Sequence, residues 1–140
     1  MISSPADMFE RALAVMQYAY APYSNYRVGC SLLTTDGRIF TGCNVENSAY
    51  PLSQCAEASA VGSMIAGGAT AIAAVLVVAD HVKPCVPCGG CRQRLSEFAS
   101  LNTPVYFADK QGVVSMHTLS ELLPFNFGPD YLEATELDKS

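Results

Sequence analysis

The segment Val86-Pro87-Cys88-Gly89-Gly90-Cys91-Arg92 constrains this chain more than any other. Cys88 and Cys91 are three residues apart, so on a helix opening at the Pro-Cys pair their sulfurs share a face, and tetrahedral zinc favours sulfur pairs of that kind. Cys55, within Ser53-Gln54-Cys55-Ala56-Glu57, offers a third thiolate. Three protein ligands leave the fourth position to water, the arrangement that separates catalytic zinc from closed structural zinc. Glu57, two residues past Cys55, is placed to act as the base. The expectation is one zinc ion per subunit on Cys55, Cys88 and Cys91, with Glu57 as the catalytic group.

Six cysteines could instead pair as three disulfides, and Cys85-x-x-Cys88-x-x-Cys91 could hold an iron–sulfur cluster. A chain of 140 residues, half of them hydrophobic, buries a core without covalent staples. A cluster would leave Glu57 and the Asn44-Glu46 pair unused. Cys30 and Cys43 read as core residues, and His81 and His117 stand in no ligand spacing. The formal net charge of −5 offers no excess of cations to meet phosphates, which argues against a nucleic-acid substrate and favours a small neutral ligand. The amino-terminal residues lack a basic region followed by an apolar run, and no stretch is long enough to span a bilayer. A soluble, intracellular protein of one domain over 1–140 is expected.

The pattern predicts an α/β chain. Ser4 caps a first helix with Pro5 at its first position, and the apolar stripe Ala12, Leu13, Met16 and Tyr20 carries it to the break at Pro22. Tyr26 to Thr34 and Arg38 to Cys43 are strands joined by the Asp36-Gly37 hairpin signal and so antiparallel. Asn44 to Pro51 reads as a loop, and Ser53 as the cap of a helix that carries Cys55 and Glu57 and stops at Gly67-Gly68. Ile72 to Val78 is a buried central strand reached by a crossover, feeding the Cys85 to Cys91 segment and a helix running to about Ala99. Pro104 to Ala108 and Val113 to Met116 are too close for a crossover and form an antiparallel hairpin. A short helix begins at Thr118, an aromatic, turn-rich tail follows, and residues 133–140 are expected to fray.

The signature Cys-x-Glu followed by Pro-Cys-x-x-Cys resembles that of zinc-dependent nucleobase deaminases. Together with Ala21-Pro22-Tyr23-Ser24-Asn25-Tyr26, Gly42-Cys43-Asn44-Val45-Glu46-Asn47, Leu122-Leu123-Pro124 and Phe127-Gly128-Pro129, it makes nearly the whole chain similar to the cytidine deaminase family, in its short-chain, three-cysteine form. The resemblance implies a three-layer α/β/α fold with a mixed five-stranded sheet, a cytoplasmic homotetramer, and hydrolysis of cytidine and 2′-deoxycytidine in pyrimidine salvage. It further implies that Asn44 and Glu46 hold the ribose hydroxyls and that Tyr26 stacks. The backbone of Ala56 and Val86 would hold the base and the departing ammonia, and Phe127 would come from a neighbouring subunit. A blasticidin-type deaminase is the nearer alternative, and a non-catalytic zinc or redox-sensing module the more distant one. No membrane or nucleic-acid partner is expected.

Three thiolates on Zn²⁺ carry a net charge of about −1, which weakens the metal's pull on water. Members of the three-cysteine form commonly place an arginine directly after the catalytic Glu to offset it; this chain has Ala58 there. Arg92, the cation adjacent to Cys91, together with two helix dipoles, is expected to supply the compensation.

Overall fold

The computed structural model describes residues 4–133. Helix α1 (Pro5–Met16) is opened by a capping box in which Ser4 and Asp7 satisfy one another's backbone N–H groups. It ends a turn earlier than the apolar stripe suggests. The Tyr20 N–H donates to the Asn44 carbonyl at 3.0 Å and the Glu46 N–H donates to the Tyr20 carbonyl at 2.8 Å, so the backbone that would extend the helix is engaged by a distant segment.

Strands β1 (Val28–Thr34) and β2 (Ile39–Cys43) are antiparallel, joined through Gly37 at φ 88°. The following segment is not wholly irregular: Val45 pairs with Gln54, and Tyr50–Leu52 form one 3₁₀ turn. Helix α2 (Ala56–Ala66) leads to β3 (Ile72–Ala79), and α3 (Gly89–Ser96) leads to β4 (Pro104–Asp109). β5 (Gly112–Thr118) and α4 (Leu119–Leu122), capped by Thr118, complete the order, with a final 3₁₀ turn at Pro129–Tyr131. Of the tail expected to fray, all but Glu133 lies outside the described residues.

The five strands form one mixed sheet in the order β2-β1-β3-β4-β5; β3 and β4 are parallel and the other neighbours antiparallel. β3 is buried on both faces, which is why its sequence is apolar without alternation. Ala74, Leu76 and Val78 pack under α1 with Met8, Ala12 and Met16. Val75, Val77 and Ala79 face the opposite layer with Ala60, Met64 and Leu95 from α2 and α3. The expected helix–sheet–helix layering is thereby formed. Among the described residues no helix is long and apolar enough to cross a membrane.

Candidate active site

Two helix starts meet at one end of the sheet. Cys55 is the N-cap of α2 and Cys88 the N-cap of α3, both in extended backbone and neither with a side-chain cap hydrogen bond. Ser53, expected as the cap, instead closes the preceding 3₁₀ turn, and its hydroxyl accepts from the Asn47 N–H at 3.0 Å. The first turns of both helices therefore present their positive ends to whatever lies between them. Gly42 brings α2 this close: a Cβ there would stand 2.2 Å from the Ala60 nitrogen and 2.7 Å from the Ala56 carbonyl oxygen.

The sulfurs of Cys55, Cys88 and Cys91 lie within 4.8 Å of one another, with Cys55 and Cys88 at 4.0 Å. Zinc–sulfur bonds of about 2.3 Å arranged tetrahedrally place sulfurs about 3.8 Å apart, so the trio fits one ion. Among the described residues no fourth His, Cys, Asp or Glu joins the cluster. All six cysteines are unpaired thiols, with Cys30 and Cys85 buried and Cys43 partly so. Burial pushes the Cys55 thiol up, and burial together with the Glu57 carboxylate raises Cys91 strongly. Burial is the largest influence on Cys88 and pushes it up, but hydrogen bonds from the Cys91 backbone N–H and from the Cys91 and Cys55 thiols together outweigh it and draw it down. A divalent cation is what lets three such sulfurs ionise together.

Glu57 is buried, 4 % exposed, at the second position of α2. Desolvation raises its pKa, opposed by its own backbone N–H, then by the Cys91 thiol and last by the charge of Arg94. Cys55 and Glu57 thus reach a common space off the amino end of the helix. That space is a pocket of about 290 Å³ walled by Tyr26, Asn44, Glu46, Ala56, Glu57 and Val86, together with Cys55, Cys85 and Cys88. It lies at the lower end of the size range for small-molecule sites.

On the far wall Glu46 is rigidly held. One carboxylate oxygen accepts from the Tyr23 and Ser24 N–H groups at 3.0 and 3.1 Å, and the other from the Ser24 hydroxyl, which together keep its pKa below the usual carboxylate range. Asn44 uses Oδ1 to accept from the Val28 N–H and Nδ2 to donate to the Tyr26 carbonyl, both at 2.8 Å. One N–H and one lone pair remain for a ligand. Tyr26 lies beside the His81 ring, centroids 5.8 Å apart, and its hydroxyl is raised to about 12 by burial and by the neighbouring Cys85.

One expectation is altered. Arg92 donates to the carbonyls of Pro87 at 2.9 Å and Leu122 at 3.0 Å, so it ties α3 to α4 and makes no hydrogen bond to a sulfur. Arg94 is the guanidinium that reaches a thiol, 3.8 Å from Cys91 Sγ. The signal was present in the sequence as an i,i+3 pair, overlooked in favour of the sequence neighbour. Phe127 is outside this pocket; its ring is exposed and stacks on Tyr131, and its carbonyl accepts from Gln93. Ser24, which braces Glu46, was not singled out as a site residue.

Residues 3–108 match the model of the cytidine and deoxycytidylate deaminase zinc-binding region. The chain belongs to that deaminase family. A cytidine deaminase of Sporosarcina psychrophila is 42 % identical over 116 residues, covering 83 % of this chain and 85 % of the relative. One from Halalkalibacterium halodurans is 40 % identical over 120 residues, covering 86 % and 91 %. The crystal structure of the Burkholderia pseudomallei cytidine deaminase superposes with a TM-score of 0.84 at 41 % identity, covering 89 % of this chain and all of that one. The family is zinc-binding by name, and this deaminase chain has the sulfurs to hold the ion.

Proposed function

We propose that this deaminase hydrolyses cytidine and 2′-deoxycytidine to uridine and 2′-deoxyuridine, releasing ammonia, as a step of pyrimidine salvage in the cytoplasm. The observation that carries the reading is the shared pocket, lined by Cys55 and Cys88 of the sulfur trio and the buried Glu57 carboxylate together with Asn44 and the braced Glu46.

Cys55, Cys88 and Cys91 would hold the zinc, and bound zinc supplies water acidic enough to serve as a nucleophile near neutral pH. Glu57 takes one proton from that water and passes it to N3 of the pyrimidine as C4 becomes tetrahedral, then takes the remaining proton of the C4 hydroxyl and delivers it to the amine as C4=O forms and ammonia leaves. Its burial raises its affinity for the proton it must carry between these steps. The Ala56 N–H at the open end of α2 donates to the base carbonyl, and the Val86 carbonyl accepts from the exocyclic amine. Tyr26 covers the base. Glu46 and Asn44 grip the ribose hydroxyls, which favours a nucleoside over a free base or blasticidin.

A homotetramer is part of the proposal. Phe127, outside its own chain's pocket, would close a neighbour's, and Phe125, Tyr18, Tyr50, Leu52 and Leu132 are large apolar side chains exposed on a single subunit. The test combines zinc content with an ultraviolet assay on cytidine and on blasticidin S. Stoichiometric zinc with faster turnover of cytidine is expected. Bound zinc without deamination, or preference for blasticidin, refutes the reading.

A further inference from the structure

The zinc site that the proposed function requires contains three anionic sulfurs against one divalent ion, and the protein must offset the surplus charge. The helix ends at Cys55 and Cys88 contribute partial positive charge to those two sulfurs. Cys91 is differently placed. It is fully buried, within the first turn of α3 and not at its cap.

We propose that Arg94 is the positioning residue that neutralises the Cys91 thiolate. Its guanidinium donates to Cys91 Sγ at 3.8 Å from the next turn of the same helix, so the i,i+3 spacing in α3 fixes the contact. Among the described residues no other charged side chain donates a hydrogen bond to a cysteine sulfur. Arg92 is bound to two carbonyls, Arg38 to Asp36 and the Gly67 carbonyl, Lys110 to Asp80, and Arg11 to the Ile39 carbonyl. Position 58, which follows Glu57 on α2, carries no charge. A hydrogen bond to a bound thiolate withdraws electron density from sulfur, which preserves the metal's Lewis acidity and slows its loss.

The test compares the wild-type zinc protein with Arg94→Ala, Arg94→Gln and Arg94→Lys. Zinc release to a chromogenic chelator should be about 10- to 100-fold faster in R94A and R94Q, the range found when groups bonded to metal ligands are removed, with R94K close to wild type. In the cobalt(II)-substituted proteins, the sulfur-to-metal charge-transfer band of R94A should move to longer wavelength. Release at the wild-type rate with an unshifted band in R94A and R94Q overturns the proposal. So does equal loss in all three variants, or an equal destabilisation of the metal-free chains in circular dichroism, since either assigns Arg94 to packing. If the wild-type protein holds no zinc, or Cys91→Ser releases it no faster, the zinc reading fails and takes this one with it; wild-type zinc with indifferent Arg94 variants overturns this inference alone.

Discussion

Gly42 of β2 faces α2 across the helix–strand contact, Gly62 lies on the exposed face of α2, and the two make opposite predictions. A Cβ on Gly42 would be 2.2 Å from the Ala60 nitrogen and 2.7 Å from the Ala56 carbonyl, both backbone atoms of α2, whereas a Cβ on Gly62 meets nothing within 4 Å. Backbone has no rotamer with which to yield, so Gly42→Ala must push α2 off β2 by about 1 Å to restore ordinary contact. Overpacking of this kind costs about 1–3 kcal/mol; taking the upper end, and about 3–4 °C per kcal/mol for a chain of this size, the thermal midpoint should fall by roughly 10 °C. The displaced helix carries Cys55 at its cap and Glu57 in its first turn, and a shift of about 1 Å at a reacting group can cost on the order of 100-fold in rate. Gly62→Ala fills open space on the exposed face of the helix and should raise the midpoint by roughly 2–4 °C, from about 0.5–1 kcal/mol of recovered helix propensity, with unchanged turnover. Differential scanning fluorimetry at fixed protein concentration, with zinc and again with chelator, reads both shifts, and a cytidine assay reads the rates. A Gly42→Ala protein with native midpoint and native turnover would refute the close packing of α2 on β2 as what positions the site.

Glu57→Gln should retain stoichiometric zinc and lose turnover by at least about 10²–10⁴-fold, measured by metal analysis beside the ultraviolet assay, because the amide keeps the shape but cannot carry a proton. Ser24→Ala removes one of the three donors that brace Glu46, so KM for cytidine should rise about 3- to 10-fold with little change in kcat. The effect should vanish on an analogue lacking the 3′-hydroxyl, and an equal effect there would contradict the ribose role. Removing zinc by chelation should lower the thermal midpoint and abolish turnover together, both restored by adding zinc back. Restoration of stability without activity would mark the metal as structural.

Local signals carried most of this protein. The Pro5 start, the Asp36-Gly37 hairpin, the unbroken apolar run of β3 and the short β4–β5 turn each specify an element through propensity or pattern, and together they leave few topologies. The cysteine spacings likewise specify the metal cluster, because ligand geometry is a local property of one helix turn plus one partner. What the sequence could not show was competition for backbone hydrogen bonds at a distance. Tyr20 continues the apolar stripe of α1, yet its backbone pairs with Asn44 and Glu46; Ser53 is a good cap by type, yet it closes a different turn. The choice between Arg92 and Arg94 was also tertiary. Adjacency in the chain favoured the first, but helix rotation directs Arg92 to the carbonyls of Pro87 and Leu122 and leaves Arg94 on Cys91. Residue type and spacing determined which chemistry is available, and only packing decided which side chain meets which charge, because a side chain's direction is set by the partners its backbone finds across the fold.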